Sequence, residues 1–393
     1  MSSTRDIRRG LSMPILPDPA TYINPRTGAT WPTTTAMWRA PDDGGYVNLT
    51  PGAGLAPMDI KMDERSLWRY SSAIRLAEPP AATLGEGWTP LIPAQWDGQP
   101  VLMKAEYFMP SGSFKDRGSA VMLNYLKQTG VSKIMEDSSG NAGSSVATYA
   151  AALSLPCRIL LPASAPMAKR IQMAAMGADV APIDGSRDDT ARAALVEAET
   201  VFYASHNYQP FFVEGTKTLA FELWEQLGFQ APDCIITPLG QGSNVLGCHI
   251  GFAELLACGA IDRMPRIYAI QAANCAPYHA AHQFGDNAVD VEINPTIADG
   301  IATPTPVRLR EVLAGITETN GDTVVVSEAE IIAALGTLAQ KGFFVEPTSA
   351  ACGAGLTRLI ERGAIGKKET TVVVLTGSGL KAVDKIGAAL NLG

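Results

Sequence analysis

The chain has 393 residues, 46% hydrophobic and 18% charged, with a formal net charge of −8 and a pI near 5.2. That acidic balance excludes recognition of a nucleic-acid backbone, which needs clustered Lys and Arg. No apolar run approaches the ~20 residues that cross a bilayer. Arg5, Arg8 and Arg9 are followed by no apolar stretch, so no secretory leader is expected.

The length exceeds the ~100–200 residues of one ordinary domain and predicts two lobes. Residues 1–59 are rich in Pro, Gly, Thr and Asn, carry little periodicity, and read as an irregular arm wrapping the body or a partner subunit. From about residue 100 the pattern changes. Short apolar runs at 100–105, 133–136, 157–161, 178–183, 233–237, 266–271 and 370–375 read as strands. Ala-rich stretches at 144–155, 167–176 and 246–258 read as helices. Strands alternating with helices predict an α/β fold of mostly parallel sheets covered by helices.

The cysteines (Cys157, Cys234, Cys248, Cys258, Cys275 and Cys352) are scattered without the close spacing of a zinc site. They read as reduced, mostly buried thiols of a cytoplasmic protein. His279 and His282 can share a helix face but have no carboxylate-rich company, so no metal site is expected.

Three glycine-rich turns each follow an apolar run and precede a helical stretch. They are Ser138-Ser139-Gly140-Asn141, Gly240-Gln241-Gly242-Ser243-Asn244 and Thr376-Gly377-Ser378-Gly379. In open α/β sheets ligands bind at the carboxyl ends of strands, where such turns lie. A fourth segment, Ser111-Gly112-Ser113-Phe114-Lys115-Asp116-Arg117-Gly118, puts a lysine after small residues at the start of a helical run over 119–128. The positive end of a helix disfavours a protonated amine. That is awkward for a solubilising lysine and suits one that must react neutral. Alone, Lys115 reads as an exposed turn residue, and residues 240–244 as an ordinary strand–helix turn. Together they describe a site. The 240–244 loop offers backbone N–H groups at a helix start, enough to cradle a phosphate. It lacks the Gly-Lys-Ser/Thr ending of a nucleotide loop and the dinucleotide fingerprint, so a compact phosphate monoester fits it better than ATP or NAD.

On these motifs the sequence resembles the tryptophan-synthase-β group of pyridoxal-phosphate (PLP) enzymes, fold type II, and within it the threonine-synthase-like members. The further matching segments are Leu84-Gly85-Glu86-Gly87-Trp88-Thr89-Pro90-Leu91, Glu214-Gly215-Thr216-Lys217-Thr218, Glu346-Pro347-Thr348-Ser349-Ala350-Ala351 and Leu375-Thr376-Gly377-Ser378-Gly379-Leu380-Lys381. All run in family order from about residue 66 to 385. The resemblance implies pyridoxal 5'-phosphate as cofactor, carried on Lys115 as a Schiff base, with Lys115 then moving the α-proton. It implies Asn141 on the cofactor's phenolic oxygen and Gly240, Gln241, Gly242, Ser243 and Asn244 around its phosphate. Thr376 would face the pyridine nitrogen, with Ser378 as the less favoured substitute, and Ser138, Ser139 and the backbone to Ala142 would hold the substrate carboxylate. Glu346 is as readily a loop anchor and is left off the catalytic set. A hydroxyl opposite the ring nitrogen makes a weaker electron sink than a carboxylate would, which favours elimination over transamination.

The resemblance also implies two lobes, a large one of residues 60–115 and 208–393 and a small one of 116–207, with the cofactor between them, and commonly a homodimer. It departs at one point. Many members carry an Asn-Pro-x-Arg stretch whose arginine holds the substrate phosphate. Here the stretch reads Gln209-Pro210-Phe211-Phe212, with Phe212 in the arginine's place. Arg170, Lys169, Lys217 and Arg308 are the replacements considered. Two enzyme readings follow: conversion of O-phosphohomoserine and water to threonine and phosphate, or a dehydratase, ammonia-lyase or β-replacement reaction on another amino acid. A non-catalytic regulatory subunit is the third reading, and the retained Lys115 argues against it.

Overall fold

The computed structural model describes residues 20–165, 167–285 and 292–392. Residues 1–19 of the expected arm, and the side chain of Lys169, lie outside them. The rest of the arm is more regular than expected. Strands β1 (Thr21–Ile23), β2 (Thr30–Pro32) and β3 (Asn48–Leu49) form an antiparallel sheet in the order β2-β1-β3. Strands of two or three residues hold no readable period; side chains fix this sheet instead. Tyr22 is fully buried, its hydroxyl 2.6 Å from that of Tyr125 and its ring edge-on to Phe211.

A hairpin follows, β4 (Leu91–Trp96) and β5 (Gln99–Ala105), closed by Asp97-Gly98 with φ of 47° and 75°. Two positive-φ residues make the tight primed turn that matches strand twist. Pro93 confines β4 to the sheet edge, because it cannot donate to a ladder. The chain then builds a four-stranded parallel sheet from β6 (Ile134–Glu136), β7 (Cys157–Pro162), β8 (Asp179–Ile183) and β9 (Phe202–Tyr203), in the order β8-β7-β6-β9. It returns to the hairpin with β10 (Cys234–Pro238), β11 (Arg266–Ala272), β12 (Asp322–Val326) and β13 (Thr371–Leu375). These complete a six-stranded sheet, β12-β11-β10-β13-β5-β4, parallel except at β4.

Both faces of that sheet are covered, which is why its strands are apolar at consecutive positions. Ile236, Ile270, Val373 and Leu375 face the helices Glu328–Gln340 and Pro347–Glu361. Ile235, Ile267, Val372 and Val374 face Thr218–Gln226 and Ser243–Ala257. Each such side chain contributes about 1.5–3 kcal/mol when fully buried. A third core joins the four-stranded sheet (Ile134, Ile159, Leu161) to the Lys115–Gln128 helix and to Tyr22. The glycine turns leave the carboxyl ends of β6, β10 and β13, as open α/β sheets place their ligand sites. Five cysteines are buried thiols, whereas Cys258 is exposed. No helix among the described residues is long and apolar enough to cross a membrane.

Candidate active site

The lysine segment is sewn to the turn after β13. Phe114 N–H donates to the Thr376 carbonyl (2.9 Å), and Ser378 N–H to the Gly112 carbonyl (3.0 Å). Asp116 turns back to accept from Ser111 N–H (2.6 Å), Ser111 Oγ (2.5 Å) and Ser145 Oγ (2.5 Å). Burial pushes its carboxyl up to about 6 against those bonds. Two residues past the lysine, Arg117 is fully buried and held by Glu106 and Glu222 at 2.7–2.9 Å. Lys104 pairs with the same Glu222. This buried network fixes the first turn of the Lys115 helix.

The amine so held lies 3.5 Å from Ser243 Oγ, beside the rings of Phe114 and Phe212 (4.7 and 5.4 Å to their centroids). Its pKa falls to about 8, first because burial penalises the charged form; Arg187 adds to the fall, and Glu136 and Glu346 oppose it. The helix end, from which a neutral amine is expected, is only one contribution. The larger cause is desolvation.

Residues 240–244 leave β10 and open the Ser243–Ala257 helix. Gly242 has φ +88°, and a Cβ there would come within 2.3 Å of Val312, so only glycine permits this path. Neither amide atom of Asn244, buried at the helix start, has a hydrogen-bond partner. A buried unpaired amide is costly unless something polar meets it. On the far wall Thr376 Oγ1 lies 3.0 Å from Ser349 Oγ, which also accepts from Gly377 N–H (3.0 Å). Asn141 Nδ2 donates to both Glu346 oxygens (3.0 and 2.9 Å), while its Oδ1 is buried without a partner.

Lys115, Asn141, Gly240, Gln241, Gly242, Ser243, Asn244, Thr376, Ser138, Ser139 and Ala142 all line one cavity of about 280 Å³. Every residue assigned a role from the sequence therefore meets in one place. The unpartnered amides, helix-start N–H groups and low-pKa lysine suit a phosphorylated aldehyde. Other lining residues were not assigned. Glu346, visible in its motif but set aside, sits inside the wall and holds Asn141. His206 lines the cavity with Nδ1 2.9 Å from Glu136 Oε1. Burial pushes Glu136 up to about 7 and holds His206 well below its usual range. Arg187 and the loop 299–303 complete the wall. The Asp299-Gly300 pair is a local turn signal that carries no information on where the turn lies.

The departure at Phe212 has a structural explanation. Phe212 is fully buried; a Cβ on Gly118 would meet its ring at 2.6 Å, and the ring packs edge-on against His206. It is core beneath the lysine rather than cavity wall. Of the replacements considered, Arg170, Lys217 and Arg308 do not line the cavity. Lys217 is buried between Glu214 (2.9 Å) and Glu254 (3.0 Å). Arg308 is spent on the carbonyls of Asn207, Val47 and Tyr208 (2.8–3.0 Å).

Residues 82–377 match the profile of the family described as "Pyridoxal-phosphate dependent enzyme". A threonine synthase of Methanosarcina acetivorans is 35% identical over 333 residues, 82% of each chain. That of Methanocaldococcus jannaschii is 34% identical over 335 residues, 83% of each. Among solved structures, a processed threonine deaminase isoform from Solanum lycopersicum superposes with a TM-score of 0.67 at 22% identity, over 89% of this chain and 98% of that one. At that identity the likeness speaks for the fold alone.

Proposed function

The chain belongs to the pyridoxal-phosphate-dependent enzyme family as a PLP-dependent lyase of fold type II, and on that premise we propose that it converts O-phosphohomoserine and water to threonine and inorganic phosphate. When bound, the cofactor supplies an electron sink conjugated to the substrate α-carbon. The Lys115 amine, neutral above about pH 8, anchors the cofactor and then takes up and returns the α-proton. The N–H groups of residues 240–244 and the free Asn244 amide hold the cofactor phosphate. Asn141, aimed by Glu346, would hold the cofactor at its phenolic oxygen, and Thr376 at its ring nitrogen. Ser138, Ser139 and the backbone to Ala142 hold the substrate carboxylate at the start of the Asn141–Ala152 helix.

The observation that carries this reading is the convergence of Lys115, the unpartnered Asn244 and Thr376 in one cavity. The names of the 34–35% identical relatives support the choice of reaction. A dehydratase, ammonia-lyase or β-replacement reaction on another amino acid is the second reading, favoured by Phe212 where an arginine was expected. The small unit of 116–207 would close on the large one to exclude water; the protein would act as a cytoplasmic homodimer.

The test incubates the PLP-loaded protein separately with O-phosphohomoserine, serine, threonine and hydroxyaspartate, following products. Threonine and phosphate from the first compound alone is the expected result. Oxo-acid formation from another compound, with none of these products from the first, would replace this reading with the second.

A further inference from the structure

We infer that Arg187 is the specificity-determining cation of the cavity, receiving an anionic group at the end of the substrate's side chain. The inference rests on the reading of the cavity given above and names its substrate class: an α-amino acid whose side chain ends in an oxyanion, phosphate or carboxylate.

Among the described residues that line the cavity, Arg187 is the one arginine, and Lys115 the one lysine. Lys115 is committed to the cofactor, so the charge available to a substrate anion is that of Arg187. It lines the same cavity as Lys115 and His206, and its charge bears on both of them and on Glu136 and Asp137. Yet no described residue pairs with it by hydrogen bond or ion bridge. Asp189, two residues on, is occupied by the Ser186 N–H (2.6 Å) and by Arg192. Arg187 is exposed while lining the cavity, so it is the lining cation that stays open to solvent.

Its backbone is fixed. Ser186 caps the Arg187–Glu197 helix, accepting from Asp189 N–H while Asp189 reaches back, the reciprocal box that sets the first helical residue. A guanidinium carried there presents a planar fork of donors, the geometry that binds phosphate or carboxylate through two parallel bonds. The fully buried Phe212 is the counterpart of this arrangement: where an arginine was expected beneath the lysine the chain has packing, and the cation arrives from the four-stranded sheet.

The test uses the PLP-loaded protein, Arg187→Gln and Arg187→Lys. Dissociation constants are read from the cofactor absorbance and by calorimetry for three unreactive ligands: the phosphonate analogue of O-phosphohomoserine, aminoadipate, and the uncharged norvaline. Arg187→Gln is expected to weaken the preferred anionic ligand by about 10- to 100-fold, the range of a charge-assisted contact, and norvaline by less than about twofold. Arg187→Lys should recover part of the loss. Preference for the phosphonate identifies a phosphate-bearing substrate and preference for aminoadipate a carboxylate-bearing one; both support the inference. Equal losses for all three ligands, or no loss in either variant, overturn it. An intact cofactor band with no discrimination between charged and uncharged ligands would remove only the role of Arg187. Absence of a lysine-bound cofactor in the parent protein would instead remove the reading beneath it.

Discussion

Replacing Arg117 by Leu isolates the buried network that holds the first turn after Lys115. Two cations, Lys104 and Arg117, face two carboxylates, Glu106 and Glu222, and all four side chains are fully buried. Removing one cation leaves a surplus negative charge among groups that cannot reach water. Breaking a buried pair in this way costs about 3–5 kcal/mol. Arg158, about a third exposed and bridging Asp179 and Glu197 on the surface, is the control, because exposed pairs contribute about 0–1 kcal/mol. Urea titrations followed by circular dichroism should place the Arg117→Leu midpoint well below that of Arg158→Ala. Adding Glu106→Gln should recover part of the loss, since Lys104 and Glu222 then balance. If Arg117→Leu lost no more than Arg158→Ala, and the second substitution restored nothing, the network would not be what anchors the lysine turn.

Further outcomes follow from the same geometry. Capture of PLP by the apoprotein should quicken as pH rises and level off above about 8, because burial lowers the Lys115 pKa to about 8 and only the neutral amine attacks; stopped-flow absorbance measures it, and a profile still rising toward pH 10 would contradict the buried amine. Gly242→Ala forces a side chain onto a φ of +88° and into Val312, so cofactor affinity should fall by at least about tenfold, a misplacement effect larger than the ~1 kcal/mol backbone term alone. Equilibrium dialysis checks it. Glu346→Gln keeps the size of the group that holds Asn141 but removes its charge; turnover should drop by about 10- to 100-fold with little change in melting temperature, because a charge-assisted bond becomes a neutral one.

What the sequence revealed and what it hid have physical causes. Four strands of the six-stranded sheet, β5, β10, β11 and β13, were readable because burial on both faces writes apolar residues at consecutive positions, as at Ile235-Ile236 and Val372-Val373-Val374; β4 at the edge and β12 were not read as strands. The arm's sheet was not, since Tyr22 is held by contacts with Tyr125 and Phe211, some 100 and 190 residues away in the chain. The glycine turns and Lys115 were legible because each needs a local backbone geometry that few residues supply. Arg187 and His206 gave no such signal: a solvent-facing arginine after a capping serine looks like any other helix start. Only the order of strands brings it to the cavity. Glu346 lay in a recognised motif, but its value depends on Asn141, a partner 205 positions away.

Borohydride reduction of the PLP-loaded protein, followed by peptide mapping, addresses the central assignment. The cofactor should be found fixed to the peptide containing Lys115 and to no other, and Lys115→Ala should take up none. Label on a different lysine, or undiminished label in the variant, would contradict the site described here.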